Sequence, residues 1–190
     1  MRYIAFAALL AGCATLSAAN QVTPIPDPQD QFFAALASHC GDSLFGRLVS
    51  SDSEDSEMAG KLMVARFTGC TPYEVRINFA VGDDTSRNWV ITRLRGGFRL
   101  KHVHLHKDGT EDELSGYGGD TVGYGTAQRQ EFPADAFSKA LFTRRNMAQS
   151  NANVWAVEVE PGKSFAYELR RPGRFFRVVL DQKARPQLPL

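Results

Sequence analysis

Three of the four histidines of this chain stand at alternate positions in one short segment, directly before Asp108-Gly109. They are His102, His104 and His106. Because side chains on a β-strand alternate between two faces, a strand here places all three imidazoles on one side. Imidazoles ligate metal ions and exchange protons near neutral pH. The segment is therefore a candidate metal site or acid/base site.

The dipeptide Asp108-Gly109 predicts a two-residue hairpin turn after the histidines. A type I′ turn needs positive φ at both central residues, a conformation that Asp-Gly adopts readily. This turn places His106 opposite Glu111 and His104 opposite Glu113. Imidazoles and carboxylates then interleave on one surface, where the negative charge favours protonated imidazole.

The geometry of a strand limits how these side chains share a ligand. At a rise of about 3.3 Å per residue, His102 and His106 lie roughly 13 Å apart, too far for two bonds of about 2 Å to one ion. A divalent metal would therefore take two histidines and a carboxylate. The candidate ligands are His104, His106, Glu111 and Glu113. Two other interpretations remain open: an acid/base or ligand contact without metal, and an outward His/Glu ladder whose cross-strand pairs contribute about 0.2–1 kcal/mol each.

The hairpin resembles the first metal motif of the cupins. In this chain the motif runs His104-x-His106, four residues, Glu111, six residues and Gly118. The resemblance implies a divalent metal held by the two histidines and the glutamate. Cupins add a histidine from a second motif, and no histidine follows His106 in this sequence. The hairpin would then supply three protein ligands.

The N-terminus has the layout of a secretory signal. One positive charge precedes the apolar run 4–11, and small residues follow it. No later segment approaches the roughly twenty apolar residues of a membrane-spanning helix. Cleavage before Cys13 makes residues 1–12 the signal peptide, and cleavage after Ala19 makes it residues 1–19.

The tetrapeptide Leu10-Ala11-Gly12-Cys13 resembles the lipobox of bacterial lipoproteins. The resemblance implies that the signal is cut before Cys13 and that this cysteine carries lipid. Several acyl chains hold a protein stably on a membrane without spanning it. Ala14 resembles the context that sorts lipoproteins to the outer membrane, so we expect residues 13–29 to tether the domain to its periplasmic face. Without lipidation, the protein would be soluble in the periplasm or secreted.

Two cysteines remain after either cleavage, Cys40 and Cys70. An even number in an oxidising compartment predicts one disulfide. The bond would close a loop of about thirty residues, for which the chain-entropy model gives roughly 3 to 4 kcal/mol of stabilisation.

The net charge argues against nucleic acid as a partner. Removal of residues 1–12 takes away only Arg2, so 22 Lys plus Arg become 21 against 21 Asp plus Glu, and the formal charge becomes zero. Binding to phosphates needs a cationic surplus on one face. The arginines within 93–99 and 170–177 mostly alternate with apolar residues and predict solvated strand faces. The acidic stretch 51–57 predicts a solvated loop.

Apolar residues recur at period two over most of the chain, which is typical of half-buried strands. Asp30 predicts the cap of a helix through Ala37, and Asp135 predicts the cap of a second helix before the last three strands. Short strands at hairpin spacing indicate an antiparallel sheet that closes or stacks to hide its edges. We predict a mainly β fold, a ~10-stranded barrel of the lipocalin-like (calycin) type over residues 30–183, followed by a tail at 184–190; a β-sandwich is the alternative. The predicted strands are 45–50, 61–68, 73–81, 88–94, 98–106, 111–117, 124–132, 154–160, 164–169 and 174–181, and the glycine-rich stretch 117–125 is predicted to be a loop.

The sequence lacks the GxSxG elbow, the phosphate loop and the His-Glu-x-x-His helix of common enzymes. The blocks 102–109, 117–121, 131–135 and 165–171 resemble an uncharacterised family of exported bacterial proteins, which implies export and a single β-rich domain. We therefore expect an envelope lipoprotein whose barrel binds a small apolar ligand or docks onto an envelope protein. A metal-binding protein or enzyme that uses the His-rich hairpin is the alternative. The expected lumen residues are Phe67, Phe79, Trp89, Trp155 and Tyr167.

Overall fold

Alternation of apolar and polar side chains builds most of this molecule, because a strand that lies on a core buries every second residue. The computed structural model describes residues 26–182, and within them it has ten β-strands and two α-helices. The helices are α1 (Pro28–Ala37) and α2 (Ala136–Arg144). The strands are β1 (Ser43–Leu48), β2 (Met63–Cys70), β3 (Glu74–Val81), β4 (Asp84–Leu94), β5 (Gly97–His104), β6 (Tyr117–Asp120), β7 (Arg129–Pro133), β8 (Val154–Glu160), β9 (Ser164–Arg171) and β10 (Arg174–Asp181). Short 3-10 turns lie at Ser53–Asp55 and Ala148–Ala152.

The ten strands of the described residues form one sheet in the order β6-β5-β4-β3-β2-β1-β10-β9-β8-β7. Neighbouring strands pair antiparallel. Consecutive strands along the chain are neighbours in the sheet, except that β6 and β7 form its two edges and β1 pairs with β10. That pairing joins the first strand to the last, so the sheet curls into a nearly closed barrel with a seam between β6 and β7. The predicted antiparallel barrel with two helices is confirmed. The sandwich alternative is wrong, because a sandwich needs two sheets.

The seam between β6 and β7 is closed by the first turn of α2. The Asp135 amide donates to the carbonyl oxygen of Gly118 (3.0 Å). The Ser138 hydroxyl accepts from the Gly118 amide (2.7 Å) and donates to its carbonyl oxygen (2.8 Å). A Cβ atom on Gly119 would overlap the carbonyl oxygen of Pro133, so glycine lets the two edge strands approach. Backbone groups that an open edge would expose are thereby paired. Asp135 also caps α2, as predicted.

The glycine-rich stretch 117–125 was predicted to be a loop, and this prediction is wrong for its first four residues, which form β6. The strand predicted at 111–117 is wrong as well, because β6 begins only at Tyr117. The reason is steric. The carbonyl oxygen of Leu100 on β5 occupies the space that a Cβ on Gly118 would need. Glycine is therefore required for close strand packing here, and not for a turn.

Helix α1 covers one end of the barrel. Phe32 and Leu36 are fully buried, and Phe32 packs on Phe98 with ring centroids 5.3 Å apart. Phe33 stacks on the same ring at 5.9 Å. Because Phe98 lies at the start of β5, this end of the barrel is filled by apolar side chains.

The N-terminal boundary of α1 lies before the predicted one. Asp27 caps the helix in place of Asp30, and its carboxylate accepts from the Gln29 amide (2.8 Å). Pro28 takes the first helical position, where the missing amide hydrogen costs no intrahelical bond. Asp30 forms an ion pair with Arg93 instead.

Cys40 and Cys70 form a disulfide, as the sequence predicted. Their Cα atoms lie 6.2 Å apart, and the bond ties the turn after α1 to the end of β2. The helix that covers this end of the barrel is therefore fixed covalently to the sheet. The predicted signal peptide (1–12 or 1–19), the lipidated Cys13, most of the 13–29 tether and the tail 184–190 lie outside the described residues.

Candidate functional site

The inward face of β4, β5 and β6 carries the polar residues of the candidate site. His102 and His104 share this face, as their spacing predicted. In the register of the sheet, His102 lies between Trp89 of β4 and Tyr117 of β6, and Arg87 lies opposite His104. The two histidines at the end of β5 thus point into the barrel rather than out of it.

These side chains line a cavity of about 130 Å³. The cavity lies at the end of β5, whereas α1 covers the residues at its start, so the two features occupy opposite ends of the barrel. The walls are formed by Met58, Phe79, Trp89, Tyr117, Tyr167, Leu169 and Phe176, and the charged and imidazole groups are Asp55, Arg87, His102, His104 and Arg174.

His102 is a deeply buried polar group of the cavity, with 2% of its surface exposed. Its Nδ1 lies 3.2 Å from the carbonyl oxygen of Tyr117, and its Nε2 lies 2.6 Å from the hydroxyl of Tyr167. Because a carbonyl oxygen only accepts, Nδ1 carries the proton, Nε2 accepts, and Tyr167 donates to it. Burial lowers the pKa of His102 to about 3. The imidazole is therefore neutral, and its tautomer is fixed from both sides.

Tyr117, Tyr167 and His104, which lie around His102, are neutral at neutral pH as well. Burial raises the pKa of Tyr117 to about 12 and the pKa of Tyr167 well above its ordinary value. Burial, followed by the charge of Arg87, lowers the pKa of His104. His104 Nε2 lies 3.0 Å from the Tyr117 hydroxyl. We call His102, His104, Tyr117 and Tyr167 the His/Tyr cluster.

The His/Tyr cluster is built to form hydrogen bonds rather than to transfer protons. A general base needs a lone pair within reach of substrate and a pKa near the working pH. The one lone pair of His102 already accepts from Tyr167, and its pKa lies far below neutrality. Neither tyrosine is ionised at neutral pH. His102 and the two tyrosines can therefore orient a bound molecule without removing a proton from it.

Stacked aromatic rings form one wall of the cavity. Trp89 lies between Phe79 and Tyr167, with centroid distances of 4.4 Å and 4.2 Å and interplanar angles of 19° and 14°. These three predicted lumen residues line the cavity. The other two, Phe67 and Trp155, are buried in the core, where Trp155 packs behind the ring of His102 at 5.0 Å.

The loop between β1 and β2 reaches over the cavity. Asp55, at its 3-10 turn, is 1% exposed, and its carboxylate pairs with both terminal nitrogens of Arg174 (2.7 and 2.5 Å). Asp52 and Glu54 also lie within ion-pair distance of Arg174 (3.3 and 3.1 Å). The interpretation of 51–57 as a solvated loop is therefore wrong at Asp55. No local pattern predicts this contact, because Arg174 follows Asp55 by 119 residues in the chain.

The predicted register of the His-rich hairpin is wrong by one residue. The His106 amide donates to the Thr110 carbonyl oxygen, and the Gly109 amide donates to that of His106 (2.8 and 3.0 Å). Gly109 has φ 86°, so the loop contains three residues and ends in a left-handed glycine, a common hairpin form. Leu105 consequently lies opposite Glu111.

The new register separates the four candidate metal ligands. His104 faces the cavity, whereas His106 is half exposed and lies 3.8 Å from Asp112. Glu113 pairs with Arg145 at the C-terminal cap of α2 (2.5 Å). The predicted pairs of His106 with Glu111 and of His104 with Glu113 are therefore wrong. Within residues 26–182, no three His, Cys, Asp or Glu side chains are grouped so as to hold a metal ion.

Sequence reasoning missed Arg87, Tyr117 and Arg174 as site residues. Arg87 and Tyr117 lie on the two strands that flank β5, and a correct register would have placed them beside the histidines. Tyr117 was missed because the glycines that follow it predict a loop and not a strand. Arg174 was interpreted as part of a solvated strand face, whereas its side chain is only 9% exposed.

A second polar network lies on the outer face of β7 to β10. Its members are Arg129, Glu131, Glu158, Glu168, Arg170 and Arg177, and we call it the Arg/Glu network. Arg129 lies 2.6 Å from Glu168, and Arg177 lies 2.6 Å from Glu158. Hydrogen bonds from Arg177, then from Arg129, lower the pKa of Glu158. Burial opposes ionisation of Glu168, but the same two arginines outweigh it and lower its pKa.

Comparison of the chain with protein-family models, curated proteins and solved structures gives no match. Within residues 26–182, neither helix is long and apolar enough to cross a bilayer.

Proposed function

We propose that this protein is a non-enzymatic binding module whose barrel takes a small planar ligand in the cavity beside His102 and Tyr167. The observation that carries this proposal is a cavity of about 130 Å³ with aromatic walls and a few fixed polar groups. Ligand sites generally combine apolar walls with a small number of well-placed hydrogen-bonding groups. A cavity of about 150 Å³ holds one benzene ring, so a ligand of single-ring size fits.

Binding is favoured over catalysis because His102 and the two tyrosines of the His/Tyr cluster are neutral and already oriented. The two nitrogens of His102 are both occupied, and the stacked rings of Trp89 and Tyr167 are held in place by the barrel core. Such a site binds without reorganisation, which lowers the entropic cost of association. The His-rich hairpin supports no competing metal function, since its four candidate ligands do not converge.

The binding module belongs, in this proposal, to an exported lipoprotein. The Cys40–Cys70 disulfide supports export, because such bonds persist in oxidising compartments. A lipid on Cys13 would hold the barrel at the periplasmic face of the outer membrane; without it, the protein is soluble in the periplasm. Cys13→Ser should release the protein into the soluble fraction or leave uncleaved precursor. Unchanged membrane fractionation would show that Cys13 is not the anchor.

A screen of single-ring compounds by saturation-transfer NMR tests the binding function. Leu169 lines the cavity, so Leu169→Phe should fill it and abolish transfer to every compound that binds the wild type. Val122 is 85% exposed and lies outside the cavity, and Val122→Phe is the matched control that should change nothing. A screen without binders, or binders that Leu169→Phe does not affect, would exclude this function.

A further inference from the structure

The hydrogen bonds already formed within the His/Tyr cluster determine which hydrogen-bonding group a ligand must present to it. The Tyr167 hydroxyl gives its only hydrogen to His102 Nε2, because Nδ1 faces a carbonyl oxygen and must itself donate. The Tyr167 oxygen therefore presents only lone pairs to the cavity. A ligand atom that approaches it must bring a hydrogen-bond donor, such as a phenolic hydroxyl or a ring N–H.

Arg87 offers the opposite chemistry at the rim of the cavity. It lies on the inward face of β4, between Phe79 and His104, and its side chain is 27% exposed. Within residues 26–182 its guanidinium pairs with one carboxylate, Asp84, through Nη1 (2.5 Å). A guanidinium has five N–H donors in a planar fork that matches a carboxylate. Most of the fork is therefore left for an acceptor on the ligand.

Arg87 is the charged residue that most affects two groups of the cavity wall, His104 and Tyr117. After burial, its charge has the largest effect on the pKa of both His104 and Tyr117, ahead of the opposing carboxylate of Asp112. Arg174 also lines the cavity, but Asp52, Glu54 and Asp55 surround its guanidinium. The positive charge that a ligand meets is therefore that of Arg87.

We propose that the ligand is a single-ring aromatic carboxylate with a hydrogen-bond donor on the opposite side of the ring. Its ring lies against the wall formed by Trp89, its donor points at the Tyr167 oxygen, and its carboxylate binds Arg87 at the rim. This assignment rests on the proposed binding function and narrows it to one chemical class. Hydroxybenzoates and their nitrogen analogues have the required arrangement.

Calorimetric titration of the wild-type protein tests the ligand class with four probes of one ring size. The probes are 4-hydroxybenzoate, 4-hydroxybenzamide, benzoate and phenol. Because hydrogen bonds to charged groups are stronger than neutral ones, 4-hydroxybenzoate should bind about tenfold or more tightly than its uncharged amide. It should also bind more tightly than benzoate, which lacks the donor for Tyr167.

Variants assign the two contacts. Arg87→Gln should reduce the affinity for 4-hydroxybenzoate to that for 4-hydroxybenzamide and leave the affinity for phenol unchanged, whereas Arg87→Lys should give an intermediate value. Arg76 lies on the outer face of β3 with 60% of its side chain exposed, and Arg76→Gln is the matched control. Tyr167→Phe should make 4-hydroxybenzoate and benzoate bind equally.

The wild-type titrations separate the two proposals even if a variant fails to fold. If the uncharged rings bind as tightly as the carboxylates, the binding function stands and the ligand class is wrong. If no probe binds, charged or neutral, both the ligand class and the binding function are wrong. An unchanged affinity in Arg87→Gln would also overturn the assignment of the carboxylate to Arg87.

Discussion

Tyr167 and Glu168 are neighbours on β9, yet they belong to two polar networks of opposite character. Tyr167 points into the barrel and donates a neutral hydrogen bond to His102. Glu168 points outward and forms ion pairs with Arg129 and Arg177. A step of one residue along a strand therefore separates an uncharged cluster from an ionised network.

The difference follows from what surrounds each group. Inside the barrel, water is excluded and charged forms are expensive, so the imidazole and the phenols stay neutral and satisfy each other by hydrogen bonds. Outside, Ala156 and Ala166 are small residues that leave room for long side chains to lie across the sheet, where cations and carboxylates match and water still reaches them. Tyr167 and Glu168 are almost equally buried (6% and 7% exposed), so the arginine partners of Glu168 are what stabilise charge in the outer network.

The largest expected effect is on the pH dependence of the free energy of unfolding, which should differ between the two networks. The pKa of His102 is about 3 in the folded protein and about 6.5 in the unfolded chain. Between these values only the unfolded state takes up the proton, so the free energy of unfolding should fall by about 1.4 kcal/mol per pH unit below pH 6.5. The glutamates of the Arg/Glu network have lowered pKa values, so their contribution should be lost only below about pH 4.5.

Denaturant unfolding of the wild type and two variants between pH 7 and pH 4 checks this order. His102→Gln removes this imidazole, so the slope between about pH 6.5 and 5 should fall to the part contributed by His104, whose pKa is also lowered by burial. His106→Gln is the same substitution at the half-exposed histidine and should keep it. Equal slopes in His102→Gln and the wild type would show that His102 is not held neutral.

The next effect comes from the inner hydrogen bond alone. Tyr167→Phe keeps the ring stacked on Trp89 but leaves His102 Nε2 buried without a donor. An unsatisfied buried acceptor costs about 1–3 kcal/mol, so thermal unfolding should shift down by several degrees. A change within error of the wild type would mean that a water replaces the lost hydroxyl.

A smaller effect is expected when the outer network is broken at the neighbouring residue. Glu168→Gln removes one charge, but Arg129 and Arg177 still pair with Glu158. The Glu168 side chain is 9% exposed, but those of Arg129 and Arg177 are 28% and 25% exposed, and ion pairs that water reaches contribute about 1 kcal/mol or less. Because salt screens such pairs, the difference between Glu168→Gln and the wild type should shrink at high ionic strength, whereas the effect of Tyr167→Phe should not. Equal salt dependence in the two variants would contradict the distinction.

The smallest effect on stability is expected at the exposed end of the His-rich hairpin. His106 is half exposed, and its Nε2 lies 3.8 Å from a carboxylate oxygen of Asp112. His106→Ala should change the free energy of unfolding by less than about 0.5 kcal/mol and should leave ligand affinity unchanged. A large loss of either would mean that His106 reaches the cavity in solution.

Much of the fold could be predicted because its signals are local. Period-two alternation and helix caps such as Asp135 depend on residues that lie close together along the chain. The register of the His-rich hairpin was missed because one left-handed glycine, Gly109, is compatible with loops of two or three residues. That single residue decides which side chains face the histidines.

The sequence by itself determined the antiparallel strands and the pairing of Cys40 with Cys70, since these follow from periodicity and from the even number of cysteines. It also determined that His102 and His104 share a face, but not which face. Only the tertiary structure decided that, because the inner face of a barrel is set by closure between β1 and β10. Closure brings Tyr167 to His102 across 65 residues and Arg174 to Asp55 across 119. No local pattern carries such contacts, because they depend on the path of the whole sheet.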